Sequence, residues 1–225
     1  MNDLPFAQMA APHAEPRMSK ASPIPARWAP VSFVGDDHAL LRALERGDRG
    51  AAAALFDRYA ALVERTIARI LGADTELSDA VQEAFVRMLR SVRSVRDPQA
   101  LPEWVIRVAV HTAADTLRRR RRRRWLLLEP TESFVDDGTE ADLEGREALR
   151  ATYAVLDQLS VDDRAVFALR IIDGMELRQV AAACDCSLAT VKRRLDRAEA
   201  RFALLARKHP ALGGRLSAGE RWREK

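Results

Sequence analysis

Apolar residues recur every three or four positions along most of this chain, and short polar or glycine-marked breaks divide the pattern into helices. Ala39, Leu40, Leu41 and Leu44 make a first short helix, with Asp37 available as its N-cap and Gly47 as its stop. Asp48 opens a longer one in which Leu55, Phe56, Tyr59, Leu62, Val63, Ile67 and Ile70 keep helical spacing until Gly72. A third runs from about Ser78 to Val92 on the stripe Val81, Phe85, Met88, Leu89 and Val92. After a loop holding Asp97 and Pro98, a fourth spans about Pro102 to Arg124, with Val105, Ile106, Ala109, Val110, Ala113 and Leu117 facing one way. Alanine, leucine and arginine dominate and β-branched runs are few, so the predicted fold class is all-α.

The pattern resumes near Arg146. Leu149, Tyr153, Leu156 and Leu159 form a stripe, and Ser160 with Asp163 resembles a capping box ahead of a helix bearing Val166, Phe167, Leu169 and Ile171. Asp173–Gly174 closes that helix. Leu177 to Cys184 then reads as a short helix, Asp185 as a sharp turn in a conformation Asp tolerates better than most, and Ser187 as the N-cap of a last helix. There Leu188, Val191, Leu195 and Ala198 can face a core while Thr190, Lys192, Arg193, Arg194 and Arg197 point outward. That is the layout of a helix-turn-helix whose second helix enters a DNA major groove. The bland reading is a three-helix bundle with a solvated basic face; turn chemistry, packing pattern and charge together favour DNA reading.

Charge sharpens the division. The formal net charge is +4, yet residues 38–125 carry eighteen arginines against eleven acids, and 126–146 carry one arginine against seven acids. Two basic modules with an acidic connector suggest two contact points on a polyanion. The expected organisation is an extension over 1–36, proline- and alanine-rich and unable to fold alone; a helical domain over 37–125; a flexible acidic linker over 126–146; a helix-turn-helix domain over 147–208; and a tail over 209–225. No apolar run approaches the ~20 residues of a membrane span, and the N-terminal stretch lacks the apolar core of a signal peptide, so the expected location is cytoplasmic, without membrane insertion.

Two polar faces carry the candidate chemistry of the first domain. On the fourth helix Trp104, Val108, His111, Asp115, Arg118 and Arg122 share a face, and seven successive arginines, Arg118 to Arg124, close it. Neutralised phosphates would give strong, salt-dependent attraction to nucleic acid; the alternative is a solubilising patch. On the third helix Asp79, Gln82, Glu83 and Arg87 share another face. It could form a specific protein contact, although periodicity alone favours a solvated face with internal ion pairs. Cys184 and Cys186 read as small apolar residues, and neither they nor the scattered His13, His38, His111 and His209 have metal-ligand spacing. No glycine-rich phosphate loop and no nucleophile–base arrangement stands out, so neither an enzyme nor a cofactor is expected, and the metal-binding set is empty.

These motifs resemble the extracytoplasmic-function (ECF) class of bacterial RNA polymerase sigma factors, which keep only sigma domains 2 and 4. The resemblance rests on SDAVQEAFVRM at Ser78 to Met88, WVIRVAVHTAADTLRRR at Trp104 to Arg120, LDQLSVDDRAVFALR, and ATVKRRLDRA. It implies a transcription initiation factor that binds core RNA polymerase, recognises the −35 and −10 promoter elements and promotes DNA melting. By position it makes Asp79, Gln82, Glu83 and Arg87 the polymerase-gripping set, which displaces the solvated-face reading. It assigns Trp104, His111, Asp115, Arg118, Arg119 and Arg122 to the −10 region, and Ser187, Thr190, Lys192, Arg193 and Arg197 to the −35 region. It also implies core polymerase and promoter DNA as partners, with an anti-sigma protein as a candidate third. The chain departs from the family's usual residues at Ala80, Leu101, His111, Gln179 and Asp185. The competing readings are a stand-alone helix-turn-helix regulator and an RNA-binding protein working through the arginine run.

Overall fold

The computed structural model describes residues 33–72, 75–127 and 143–212; most of the expected extension, linker and tail lies outside the described residues. Eight α-helices carry the described chain: α1 (Asp37–Glu45), α2 (Arg49–Leu71), α3 (Leu77–Ser91), α4 (Leu101–Leu127), α5 (Leu143–Leu156), α6 (Val161–Phe167), α7 (Leu177–Ala183) and α8 (Leu188–Arg207). Single 3-10 turns at Val92–Ser94 and Pro98–Ala100 lead from α3 into α4, and a π turn at Ala168–Ile172 extends α6.

Helix ends follow the expected cap chemistry with two departures. Asp36, not Asp37, caps α1, its Oδ1 accepting from the Ala39 amide at 2.8 Å. Asp37 is diverted by tertiary partners, accepting from Arg58 and, at 2.7 Å, from the Tyr59 hydroxyl. Asp48 stands at the N-cap of α2 but makes no side-chain capping bond. Ser160 caps α6 through the Asp163 amide, and Ser187 caps α8 through the Thr190 amide. Asp185 adopts the left-handed backbone that the turn before α8 needs, with φ 49°.

The two helical modules pack against each other on a shared core. Leu40, Leu55, Ile67, Met88, Val105 and Leu117 from α1–α4 join Val166, Leu169, Val180 and Val191 from α6–α8 in one apolar cluster. A smaller cluster knits α5 to α6 and α8 through Tyr153, Leu156, Phe167 and Phe202, with the two phenyl rings stacked at 4.8 Å.

Polar groups cross between the modules as well. Arg164, 1 % exposed, donates from Nε to the carbonyl of Ile70 at 2.7 Å and from Nη2 to that of Leu71 at 2.9 Å, and also pairs with Asp157. These two carbonyls belong to the last turn of α2, which has no helical donors of its own. The Tyr153 hydroxyl reaches the Ala68 and Arg69 carbonyls at 3.3 and 3.2 Å. A buried guanidinium is tolerable only with acceptors around it, and here the end of α2 and Asp157 supply them.

Candidate nucleic-acid interface

The arginine run at the end of α4 is mostly committed inside the protein. Arg118 bridges Asp115 at 3.1 Å and Asp162 at 2.9 Å. Arg119 holds both oxygens of Glu83, at 3.2 and 2.7 Å. Arg120 and Arg123 both pair with Glu76. Arg121 donates to the Leu159 and Asp157 carbonyls, and Arg124 lies 3.5 Å from an Asp157 carboxylate oxygen. Arg122, exposed, has no hydrogen-bond or ion-pair partner among the described residues. Of the other −10 candidates, His111 is exposed on α4 and Trp104 is half-buried against the core. Asp115 sits between Arg87 and Arg118.

The α3 face divides in two. Asp79 and Gln82 are exposed, together with Val86, Leu89 and Arg90 one and two turns on. Glu83 and Arg87 turn toward α4, where Arg87 bonds Asp115 at 2.7 Å as well as Glu83. Hydrogen bonding from Arg119 and then Arg87 holds the Glu83 carboxyl below its usual range against the opposing effect of burial. Burial raises Asp115, but Arg87 and Arg118 outweigh it and leave that carboxyl lowered too. The expectation of a single four-residue contact surface thus resolves into two outward residues and two that brace α3 on α4. Spacing placed Leu89 on the core stripe, yet it stands exposed beside Val86, since spacing alone does not say which side of an apolar stripe a neighbouring helix covers.

In the helix-turn-helix, Lys192 and Arg193 stand exposed in the first turns of α8 without partners among the described residues. Ser187 and Thr190 are joined at 2.9 Å and form the cap. Arg197 is held by both oxygens of Asp163, at 2.8 and 2.5 Å, and Arg194 donates to Asp162 at 2.8 Å. A shallow hollow beside Lys192 is lined by Arg170, Glu176, Leu177, Arg178 and Leu188. Arg178, exposed in the first turn of α7 ahead of α8, is a cation that did not stand out in the sequence. Burial pushes the Cys184 thiol up to about 12, which leaves it a protonated packing group. Among the described residues no cluster of three or more His, Cys, Asp or Glu could hold a metal ion, and no helix is long and apolar enough to cross a membrane.

A four-helix unit with a basic terminal helix, packed with a helix-turn-helix unit, defines a two-module DNA-binding class. The comparisons agree in detail. Residues 55–123 match Sigma-70 region 2, and residues 149–202 match Sigma-70 region 4. The ECF RNA polymerase sigma-E factor of Haemophilus influenzae is 30% identical over 173 residues, covering 72% of this chain and 90% of that protein. Its counterpart in Escherichia coli K12 is 29% identical over 172 residues, with the same coverage. The RNA polymerase sigma-H factor of Pseudomonas aeruginosa is 30% identical over 172 residues, covering 72% and 89%. Among solved structures, CnrH in complex with the cytosolic domain of CnrY shares the fold at a TM-score of 0.51 and 21% identity, over 75% of this chain and 96% of that one. The sigma factor RpoE of Bartonella quintana, solved with the anti-sigma factor NepR, does so at 0.52 and 19%, over 68% and 94%. The chain belongs to the ECF class of RNA polymerase sigma factors. It is a DNA-binding initiation factor and not an enzyme.

Proposed function

We propose that α3 docks this chain on core RNA polymerase through Asp79 and Gln82, with Glu83 and Arg87 acting mainly to fix α3 against α4. The observation that carries this reading is the split of the α3 face: two polar residues are presented outward on a helix held rigid by a four-member ion-pair network. Promoter reading is divided between the α4 face of Trp104, His111, Arg118 and Arg122 and the α8 face of Thr190, Lys192, Arg193 and Arg197, with Arg119 and Asp115 supporting the former. Ser187 serves as the cap that opens α8. The polymerase supplies the nucleotide chemistry, so the chain works where core polymerase works, in the cytoplasm. An anti-sigma protein, of the kind captured on the similar folds, fits this chain as a regulator.

Geometry adds a requirement. Elements centred on −10 and −35 lie on the order of 25 base pairs apart, which at about 3.4 Å per step is about 85 Å. In the packed arrangement Arg118 of α4 and Arg194 of α8 bond the two oxygens of one carboxylate, Asp162. Both elements therefore cannot be read at once until the modules separate, and the 15 residues 128–142 between α4 and α5 can span at most ~50 Å when extended. The docking claim is tested by mixing purified chain with core polymerase on promoter templates. Asp79→Ala with Gln82→Ala is expected to abolish copurification with core and promoter-directed transcription while leaving the helical circular-dichroism spectrum unchanged. Full transcription by the double variant would overturn the α3 assignment.

A further inference from the structure

Six of the seven arginines closing α4 are held by acceptors of the protein itself, which leaves Arg122 as the uncommitted guanidinium of the run among the described residues. Three residues on, Trp125 is 90 % exposed, and Leu126 beside it is 81 % exposed. Residues three apart on a helix are surface neighbours, with Cβ atoms about 5–6 Å apart. The pair also continues a stripe: 104, 108, 111, 115, 118, 122 and 125 alternate steps of four and three along α4, so Trp125 lies on the same side as the candidate −10 residues. From Arg118 to Trp125 is seven residues, or about 10 Å of helix.

A bare indole is a poor surface group unless something covers it, and the charge around it says what. A free cation next to an exposed aromatic ring, at the end of a basic helix, is the combination that tracks single-stranded nucleic acid: a phosphate on the cation and a base on the ring. Duplex DNA cannot use the indole in this way, because its base faces are covered by their neighbours. We infer that Arg122 and Trp125 form a binding step for one unpaired nucleotide of opened DNA, the guanidinium taking a backbone phosphate and the indole stacking on the adjoining base. The inference rests on the −10 reading proposed above for α4, with the DNA melting that the family resemblance implies, and extends it one turn past Arg122 to Trp125.

The test uses holoenzyme assembled from core polymerase and the full chain, with Trp125→Ala, Trp125→Phe and Arg122→Ala compared on two templates. One is a duplex promoter held closed; the other carries a pre-melted bubble reaching upstream of the −10 element. Trp125→Ala is expected to weaken bubble binding about tenfold, since stacking of one base on an aromatic ring contributes ~1–3 kcal/mol by alanine substitution. Trp125→Phe should keep most of it, and duplex binding should be unchanged. Arg122→Ala should lower the salt slope of bubble binding by about one. A 2-aminopurine in the opened strand should be quenched at one position by the native chain and not by Trp125→Ala. Equal losses on both templates, no loss on either, or loss of core binding by Trp125→Ala would each overturn the inference; the last would make the patch part of the polymerase contact. Failure of the unaltered chain to bind core would instead remove the sigma-factor reading on which it rests.

Discussion

Gly72 ends α2 at φ 86° and ψ −174°, a region of backbone space essentially reserved for glycine. A Cβ built there would stand 2.9 Å from the Tyr153 ring, the residue whose hydroxyl reaches back to the end of α2. Gly72→Ala should therefore cost about 1–3 kcal/mol of stability, read as a lowered urea midpoint; an unchanged midpoint would mean that this ring does not rest on Gly72. The sequence marked Gly72 as a helix stop, but its second role depends on a tyrosine 81 positions later. Asp185 was legible for the opposite reason, since its left-handed turn is a local matter between two adjacent helices. The choice between Asp36 and Asp37 as cap was not legible: the two are chemically equal, and Arg58 and Tyr59 decide it from two turns into the next helix.

At the scale of helices, periodicity located α2, α3, α4 and α8 well, because each buries a continuous apolar stripe. It did not tell which polar residues on those helices remain free. Glu83 and Arg87 look as available as Asp79 and Gln82 until α4 is laid beside them, and the partners that claim them are 28 to 36 residues distant. The arginine run misleads in the same way, since the acids that absorb it come from Glu76, Glu83, Asp157 and Asp162. The network has a pH signature. Glu76, Glu83, Asp115 and Asp163 all sit below their usual range: burial opposes this at each of them, and arginine hydrogen bonds overcome it. Carboxyls depressed in the folded state bind fewer protons there than in the unfolded chain, so their contribution is fully present above the unfolded values of about 4 and is lost as pH falls through the lower folded ones. Urea midpoints should be level from pH 7 to about 5 and fall steadily from about pH 4 to 3. A midpoint that held constant to pH 3 would show that these ion pairs add nothing net to stability.

The whole molecule is organised by contacts between its two modules that no local pattern announces. Arg164 is one more arginine in an amphipathic helix until the α2 carbonyls 93 and 94 residues earlier close around it. Charge segregation and motif order were enough to separate two helical modules and to place a helix-turn-helix in the second. Their packing on a shared core was not, because each apolar stripe is equally satisfied within a single module or across two. In the function proposed above, promoter phosphates would take the arginines that Asp162 and Asp163 hold in the packed chain, so engaging DNA would exchange one set of anions for another. The most direct measurement places a dye pair at Glu64→Cys on α2 and Arg201→Cys on α8, both exposed, in a chain carrying Cys184→Ala and Cys186→Ala. Energy transfer should be high in the free chain and fall sharply when core polymerase and a promoter bearing both elements are added. Transfer that stays high in a complex actively initiating transcription would contradict the two-element reading at its root.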